Sequence, residues 1–135
     1  MSTFTESLPQ LKRIGGTQWK VRELYDAASA ADDGEWISTA GMCYCNFLVS
    51  WTITAGTVSF AGWNGNSAPD ATENGEPVYG IFTNAHTRIK ELTEVTGDGL
   101  VSFPRETLPT FIKCYISDDT NITSIDVDMK AVYET

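Results

Sequence analysis

Three cysteines and a single histidine are the residues of this sequence best suited to metal binding or nucleophilic chemistry. Cys43 and Cys45 are two positions apart, Cys114 is distant in sequence, and the histidine is His86. A soft-metal site could use all four side chains, but the spacing typical of a tetrahedral zinc site is absent. An odd number of cysteines in a chain without an export signal instead favours free, buried thiols in a reducing compartment.

His86 is also the one candidate for the general base of a catalytic triad. Its neighbours Asn84, Ala85 and Thr87 form a polar stretch that indicates a solvated loop. No nucleophile elbow, phosphate-binding loop, dinucleotide fingerprint or metalloprotease motif occurs in the sequence. Eighteen acidic residues provide many carboxylate pairs of the kind that glycoside hydrolysis requires, and no pair stands out. We therefore expect neither catalysis nor a cofactor.

Acidic side chains near the C-terminus could bind calcium through their oxygens. Asp126 and Asp128 lie on one face of a predicted strand, and Asp118 and Asp119 lie in the turn before it. Their spacing does not match an EF-hand loop. Solvated acids that discourage pairing at a sheet edge are the favoured interpretation, so we assign no metal site.

The segment 62–76 is rich in glycine and asparagine, and loops of this length in compact domains tend to be functional. Trp63 could stack on a sugar ring while Asn64, Asn66 and Asp70 bind its hydroxyl groups. The competing interpretation is that Trp63 belongs to the core or its rim. A carbohydrate-binding module or adhesin that uses Trp63, Asn64 and Asn66 is therefore the alternative function.

Composition excludes several classes of protein. The 135 residues suffice for one domain, and 18 acidic against 9 basic residues give a net charge of -9. Phosphate binding needs clustered Lys and Arg, so we expect no nucleic-acid partner. No apolar run approaches the roughly 20 residues of a membrane helix, and the first ten residues lack the basic and apolar regions of a signal peptide. We therefore expect no membrane partner.

Hydrophobic alternation with a period of two residues predicts the strands. It is clearest at 42–54, where the odd positions are apolar and the even ones mostly polar, and it returns at 57–63 after Ala55-Gly56. These two runs predict a β-hairpin. Seven or eight such strands predict an all-β, single-domain antiparallel β-sandwich or jelly roll over residues 18–135. The predicted core includes Phe47, Val49, Trp51, Ile53, Val58, Phe60, Ile125, Val127 and Met129.

The first 17 residues lack periodicity and contain Pro9 and the pair Gly15-Gly16, which predicts a flexible arm. The arm combines apolar side chains with the densest basic pair of an acidic chain. Such a segment suits docking on an acidic partner surface, with the charges steering the encounter. The competing interpretation is packing of 9–14 along a sheet edge of its own subunit or a neighbour. The candidate interaction residues are Leu8, Leu11, Lys12, Arg13 and Ile14.

Several segments resemble the small β-sandwich head decoration or cement proteins of tailed bacteriophages. They are Gly-Glu-Trp-Ile at 34–37, the run 58–65 that ends in Gly-Trp-Asn-Gly, the glycine turn and strand at 97–103, and the apparent closing hairpin of 111–117 with 122–127. The resemblance covers roughly residues 34–133. The longer loop at 65–76 and two cysteines on the central strand depart from the pattern and leave a tail or fibre role open.

The resemblance implies a function as well as a fold. It implies a non-enzymatic virion protein that is made in the host cytoplasm and binds the outer surface of the assembled head. The partner would be the major capsid protein of the phage, and the protein would stabilise the shell by bridging capsomers. It also implies self-association, as a trimer by preference, with a dimer as the alternative. Open sheet edges, which a second copy can cover, favour self-association on physical grounds.

Overall fold

The computed structural model describes residues 17–51, 56–69, 75–84, 90–118 and 124–134. Within these ranges 67% of the residues lie in strands. They are β1 (Thr17–Ala28), β2 (Ile37–Ser38), β3 (Met42–Trp51), β4 (Thr57–Trp63), β5 (Glu76–Pro77), β6 (Gly80–Thr83), β7 (Lys90–Leu92), β8 (Glu94–Val95), β9 (Gly99–Pro104), β10 (Phe111–Asp118) and β11 (Ile125–Glu134), with a 3₁₀ turn at Arg105–Thr107.

The strands form two antiparallel sheets, which confirms the predicted all-β sandwich. The larger sheet has six strands in the order β1-β11-β3-β9-β6-β7. The smaller sheet has the order β2-β10-β4-β5, and β8 pairs with the same side of β4. No helix in the described part of the chain is long and apolar enough to cross a membrane.

The core lies between the two sheets. Most of the core residues predicted from the alternation are buried: Phe47, Val49, Val58, Phe60, Ile125, Val127 and Met129. Ile53 and the side chain of Trp51 lie outside the described residues. Cys45 on β3 is also buried, and strands with weaker alternation supply the rest of the core, including Phe82, Val101, Phe103, Ile112, Cys114 and Ile116.

The predicted hairpin of 42–54 with 57–63 is wrong. β3 lies in the larger sheet between β11 and β9, whereas β4 lies in the smaller sheet beside β10. The predicted closing hairpin fails in the same way, because β10 and β11 also belong to different sheets. Alternation identifies which face of a strand is buried but not which strand lies beside it. Here consecutive strands bury their apolar faces against each other across the core.

The sequence predicts a first strand over 19–25 and an exposed connection from Asp26 to Gly34. β1 extends further, because Asp26 to Ala28 still belong to it, with irregular pairing to β11 after Glu23 and again after Tyr25. Ala27 has a φ of 53°, and its N–H donates a hydrogen bond to Asp126 Oδ1 at 2.7 Å. This bond across the irregular segment keeps the end of β1 attached to the sheet.

The three cysteines are free thiols, as the sequence predicts. Cys45 and Cys114 are buried and Cys43 is half-buried. Burial raises the pKa of the Cys45 thiol to about 12 and raises that of Cys114 as well. Both thiols therefore stay protonated near neutral pH, which removes the nucleophilic thiolate form.

We expect iodoacetamide to alkylate Cys43 well before Cys45 and Cys114 in the native protein. Peptide mass spectrometry at successive times measures the order, and protein unfolded in guanidinium is the control in which all three should react at similar rates. Rapid native labelling of Cys45 or Cys114 would contradict the burial on which this expectation depends.

Candidate functional site

The strand β10 carries large side chains on both of its faces. Its inward residues Ile112, Cys114 and Ile116 belong to the core. On the outward face, Phe111 and Tyr115 flank Lys113, and all three are half-buried. The register of β10 with β4 places Trp63 beside Phe111 on this outward face.

Trp36 completes this surface from outside any strand. Lys113 Nζ lies 5.0 Å from the centroid of the Trp36 ring and 5.1 Å from that of Tyr115. A methyl group on Gly75 would lie 2.5 Å from Cη2 of Trp36, so the absence of a side chain at Gly75 lets the indole pack there. We call Trp36, Trp63, Phe111, Lys113 and Tyr115 the aromatic face.

The aromatic face suits binding rather than catalysis. Its rings are rigid and present apolar area, and the lysine adds one positive charge held between two of them. Trp and Tyr are enriched among the residues that dominate protein interfaces. Cation–π contacts of this kind contribute about 0.5–1 kcal/mol at exposed sites, enough to limit the motion of the Lys113 side chain.

The residues of the predicted carbohydrate site have different structural roles. The Trp63 indole N–H donates to the carbonyl oxygen of Ser67 at 3.2 Å. Asn64 Oδ1 accepts a hydrogen bond from the Thr110 N–H at 3.2 Å, and the Thr110 hydroxyl donates to the carbonyl oxygen of Trp63 at 2.7 Å. These bonds hold the start of the loop against β10, so Asn64 anchors the loop and the polar edge of Trp63 is occupied.

Asn66 instead lines a groove of about 440 Å³ at one end of the sandwich. Phe111 of the aromatic face reaches the same groove, together with Thr39 and Arg105. The Thr39 hydroxyl donates to the carbonyl oxygen of Pro109, which fixes one wall. Asn66 and Phe111 therefore line the same groove, and Trp63 is not among the residues that line it.

A second groove, of about 270 Å³, lies where β1 meets the connection to β2. The Tyr25 hydroxyl donates to Asp32 Oδ2 at 2.7 Å, and the same oxygen accepts the Gly34 N–H at 3.0 Å. Burial, followed by the bond to Asp32, raises the pKa of Tyr25 well above its usual value. These groups satisfy one another, so they stabilise the connection that positions Trp36.

The described acidic residues among those considered for calcium are divided between the two sheets. Asp126 is bonded to the backbone of Ala27, and Asp128 pairs in register with Glu23 on β1. Asp118 ends β10 in the other sheet. Asp119 lies outside the described residues. No group of three or more His, Cys, Asp or Glu side chains in the described ranges is arranged to hold a metal ion.

Two other predicted groups are not tested by the described part of the chain. The first is the candidate soft-metal site. Its residues Cys43 and Cys45 lie in the larger sheet and Cys114 lies in the smaller sheet, while His86 lies outside the described residues. The arm residues Leu8, Leu11, Lys12, Arg13 and Ile14 also lie outside them.

Comparison with known proteins shows the fold. No family model matches the chain, and neither does any curated protein sequence. The SPBc2 prophage-derived protein YomS aligns with a TM-score of 0.65 and 12% identity over 86% of this chain and 94% of YomS. The PBSX exported protein XepA aligns with a TM-score of 0.66 and 18% identity over 86% of this chain, which spans only 38% of XepA. The chain thus has the β-sandwich fold of these two prophage proteins.

Proposed function

We propose that this chain is a non-enzymatic structural protein of a bacteriophage virion, a decoration protein that binds the outer surface of the assembled head. The observation that carries the proposal is the aromatic face, an outward patch of large rigid side chains on a sandwich whose fold occurs in prophage proteins. The partner would be the major capsid protein, and the protein would act as an oligomer located on the virion.

The aromatic face offers what a cementing contact needs. Trp36 and Tyr115 are held by Gly75 and Lys113, so little side-chain freedom is lost on binding. A protein that binds the assembled shell and not its separate subunits shifts the equilibrium towards assembly by mass action. Many weak contacts that bridge neighbouring capsomers strengthen the overall binding through avidity, and no catalysed reaction is needed.

The N-terminal arm would add a second contact. Its apolar residues Leu8, Leu11 and Ile14 would anchor on the shell, and Lys12 and Arg13 would steer the encounter with an acidic groove. Deleting residues 2–14 separates the two contributions. We expect the truncated protein to bind shells more weakly while the aromatic face keeps a residual affinity.

A carbohydrate-binding module is the second candidate, and the aromatic face is the observation that favours it. Flat aromatic rings on an outward sheet face can stack on sugar rings, and the neighbouring groove offers Asn66 and Arg105 as polar contacts. Glycan-array binding that is lost in Trp36→Ala would favour this candidate over the decoration role.

The decoration role is tested by quantitative mass spectrometry of purified virions of the phage that encodes this chain, after heads and tails are separated. We expect the protein in the head fraction, in copy numbers comparable to those of the capsomers. Its absence from particles would overturn the virion role, and its presence in tails alone would assign it to the tail or fibre.

A further inference from the structure

Lys113 carries the positive charge of the aromatic face, and it forms no ion pair with an acid in the ranges that the structure describes. Its ammonium group contacts two rings, those of Trp36 and Tyr115. Glu35 precedes Trp36 in sequence, but its carboxylate pairs with Arg22 on β1 at 3.4 Å. The other described lysines each contact a single ring: Lys20, Lys90 and Lys130. Lys113 is therefore a cation held against two rings and available to an anion from outside the chain.

The other polar groups of the aromatic face are also hydrogen-bond donors. The Trp36 indole N–H and the Tyr115 hydroxyl donate no hydrogen bond to any described residue, so both can donate to a ligand. An ammonium group and an indole N–H cannot accept a hydrogen bond, and a phenol accepts only through its single oxygen. A sugar hydroxyl both donates and accepts, whereas an ionised carboxylate only accepts. The side chains of this face therefore match a carboxylate better than a neutral sugar.

The surroundings of Lys113 strengthen its attraction to a carboxylate. The side chain is half-buried, so part of the water that would weaken an ion pair is excluded. A hydrogen bond between an ammonium group and a carboxylate is roughly twice as strong as one between neutral groups. Salt screens exposed charges beyond about 8 Å at physiological ionic strength, so this contact acts locally in spite of the net charge of -9. The two rings also limit the motion of the lysine, which reduces the entropy lost on binding.

We infer that the aromatic face binds a surface carboxylate of the shell protein, an Asp or Glu side chain flanked by apolar residues, and that Lys113 is the residue that selects it. The inference rests on the proposed decoration role and names the chemistry of its partner. The apolar residues of the shell pack on the aromatic rings, and the carboxylate lies against the ammonium group. The basic pair of the arm, Lys12 and Arg13, suits the same acidic surface, so the two contacts require one kind of partner.

Binding of lysine variants to assembled heads that lack the protein tests the role of the charge. Lys113→Met keeps the apolar stem and removes the charge, so it should weaken binding about tenfold or more. Lys113→Arg keeps the charge and can stack on the rings, so its affinity should stay within about threefold of the wild type. Lys90→Met removes a lysine that contacts Phe82 on the larger sheet and is the matched control. Circular dichroism confirms that each variant is folded, and unchanged binding by Lys113→Met would overturn the inference.

Capping the carboxylates of the heads tests the source of the anion. Carbodiimide with glycinamide converts exposed Asp and Glu side chains to neutral amides, and electron microscopy confirms that the particles stay intact. Capping should weaken wild-type binding about tenfold more than it weakens Lys113→Met, because the variant has already lost the contact.

The outcomes separate this inference from the decoration role. Equal losses for the wild type and Lys113→Met on capped heads would overturn the inference and leave the decoration role in place. Absence of wild-type binding to untreated heads would contradict both. Binding to acidic glycans on an array that depends on Lys113, without binding to heads, would overturn the inference and assign the face to carbohydrate.

Discussion

Replacing Phe60 by Ala is expected to lower the free energy of unfolding by about 3–5 kcal/mol, one of the largest effects of any single core substitution in this protein. Phe60 comes from the smaller sheet and packs against two phenylalanines of the larger sheet. Its ring centroid lies 5.1 Å from that of Phe47 and 5.4 Å from that of Phe103. The Phe47 and Phe103 rings meet edge-on at 5.7 Å, so the three rings form one cluster between the sheets.

The loss at Phe60 has two sources. The side chain is 1% exposed, so its removal leaves a cavity that rigid neighbours on both sheets cannot close. Each tilted or edge-on aromatic pair contributes about 0.5–1.5 kcal/mol beyond the buried area. Equilibrium unfolding in urea measures the loss. Val21→Ala removes methyl groups from an exposed strand position and is the control. Similar losses for the two variants would contradict the assigned core.

Replacing Gly34 by Ala is expected to lower the free energy of unfolding far more than replacing Gly41 by Ala. Both glycines have positive φ, 70° and 80°, where an added side chain costs about 1–2 kcal/mol. At Gly41 the nearest atom to a new methyl group is Cδ2 of Tyr133 at 3.5 Å, an ordinary contact. At Gly34 the methyl group would lie 2.3 Å from the carbonyl oxygen of Cys114, and backbone must move. Such overpacking adds about 1–3 kcal/mol to the loss of stability in the Gly34→Ala variant.

The Gly34 variant should also disturb the aromatic face. The connection that contains Gly34 is tied to β10 by two backbone hydrogen bonds of 3.1 Å between Asp32 and Ile116. Trp36 follows two residues later, so a shift of the connection moves its indole away from Lys113. Urea unfolding gives the stability of both variants, and tryptophan fluorescence reports the environment of the indole. Equal losses of stability for the two variants would contradict the close approach at Gly34.

The fold class and the central core could be predicted from the sequence because alternation of period two reports the buried face of each strand. The run 43–49 and the strand β11 show this directly, since every predicted core residue that the structure describes in them is buried. The pairing of strands could not be predicted in the same way. The short link between β3 and β4 resembles a hairpin turn by composition, whereas the two strands lie in opposite sheets.

The aromatic face was only partly visible in the sequence. The outward residues Phe111 and Tyr115 alternate with core residues on β10. Aromatic residues at the outward positions of a predicted strand are the sequence signal that indicates this part of the face. Trp36 gives no such signal, because it lies outside any strand and its contacts with Gly75 and Lys113 join distant parts of the chain. Their adjacency in sequence suggests that Trp63 and Asn64 form a sugar site, but their hydrogen bonds hold a loop.

Binding of the purified protein to assembled heads that lack it tests the central claim most directly. We expect saturable binding to assembled heads and none to unassembled capsid protein. Truncation of a dominant interface residue typically costs about 2 kcal/mol, so Trp36→Ala and Tyr115→Ala should each weaken binding about 30-fold while remaining folded. The control variant Thr96→Glu adds a charge at an exposed bend outside the aromatic face, so it should bind as the wild-type protein does. Absence of binding to assembled heads, or unchanged affinity in both aromatic variants, would contradict the account.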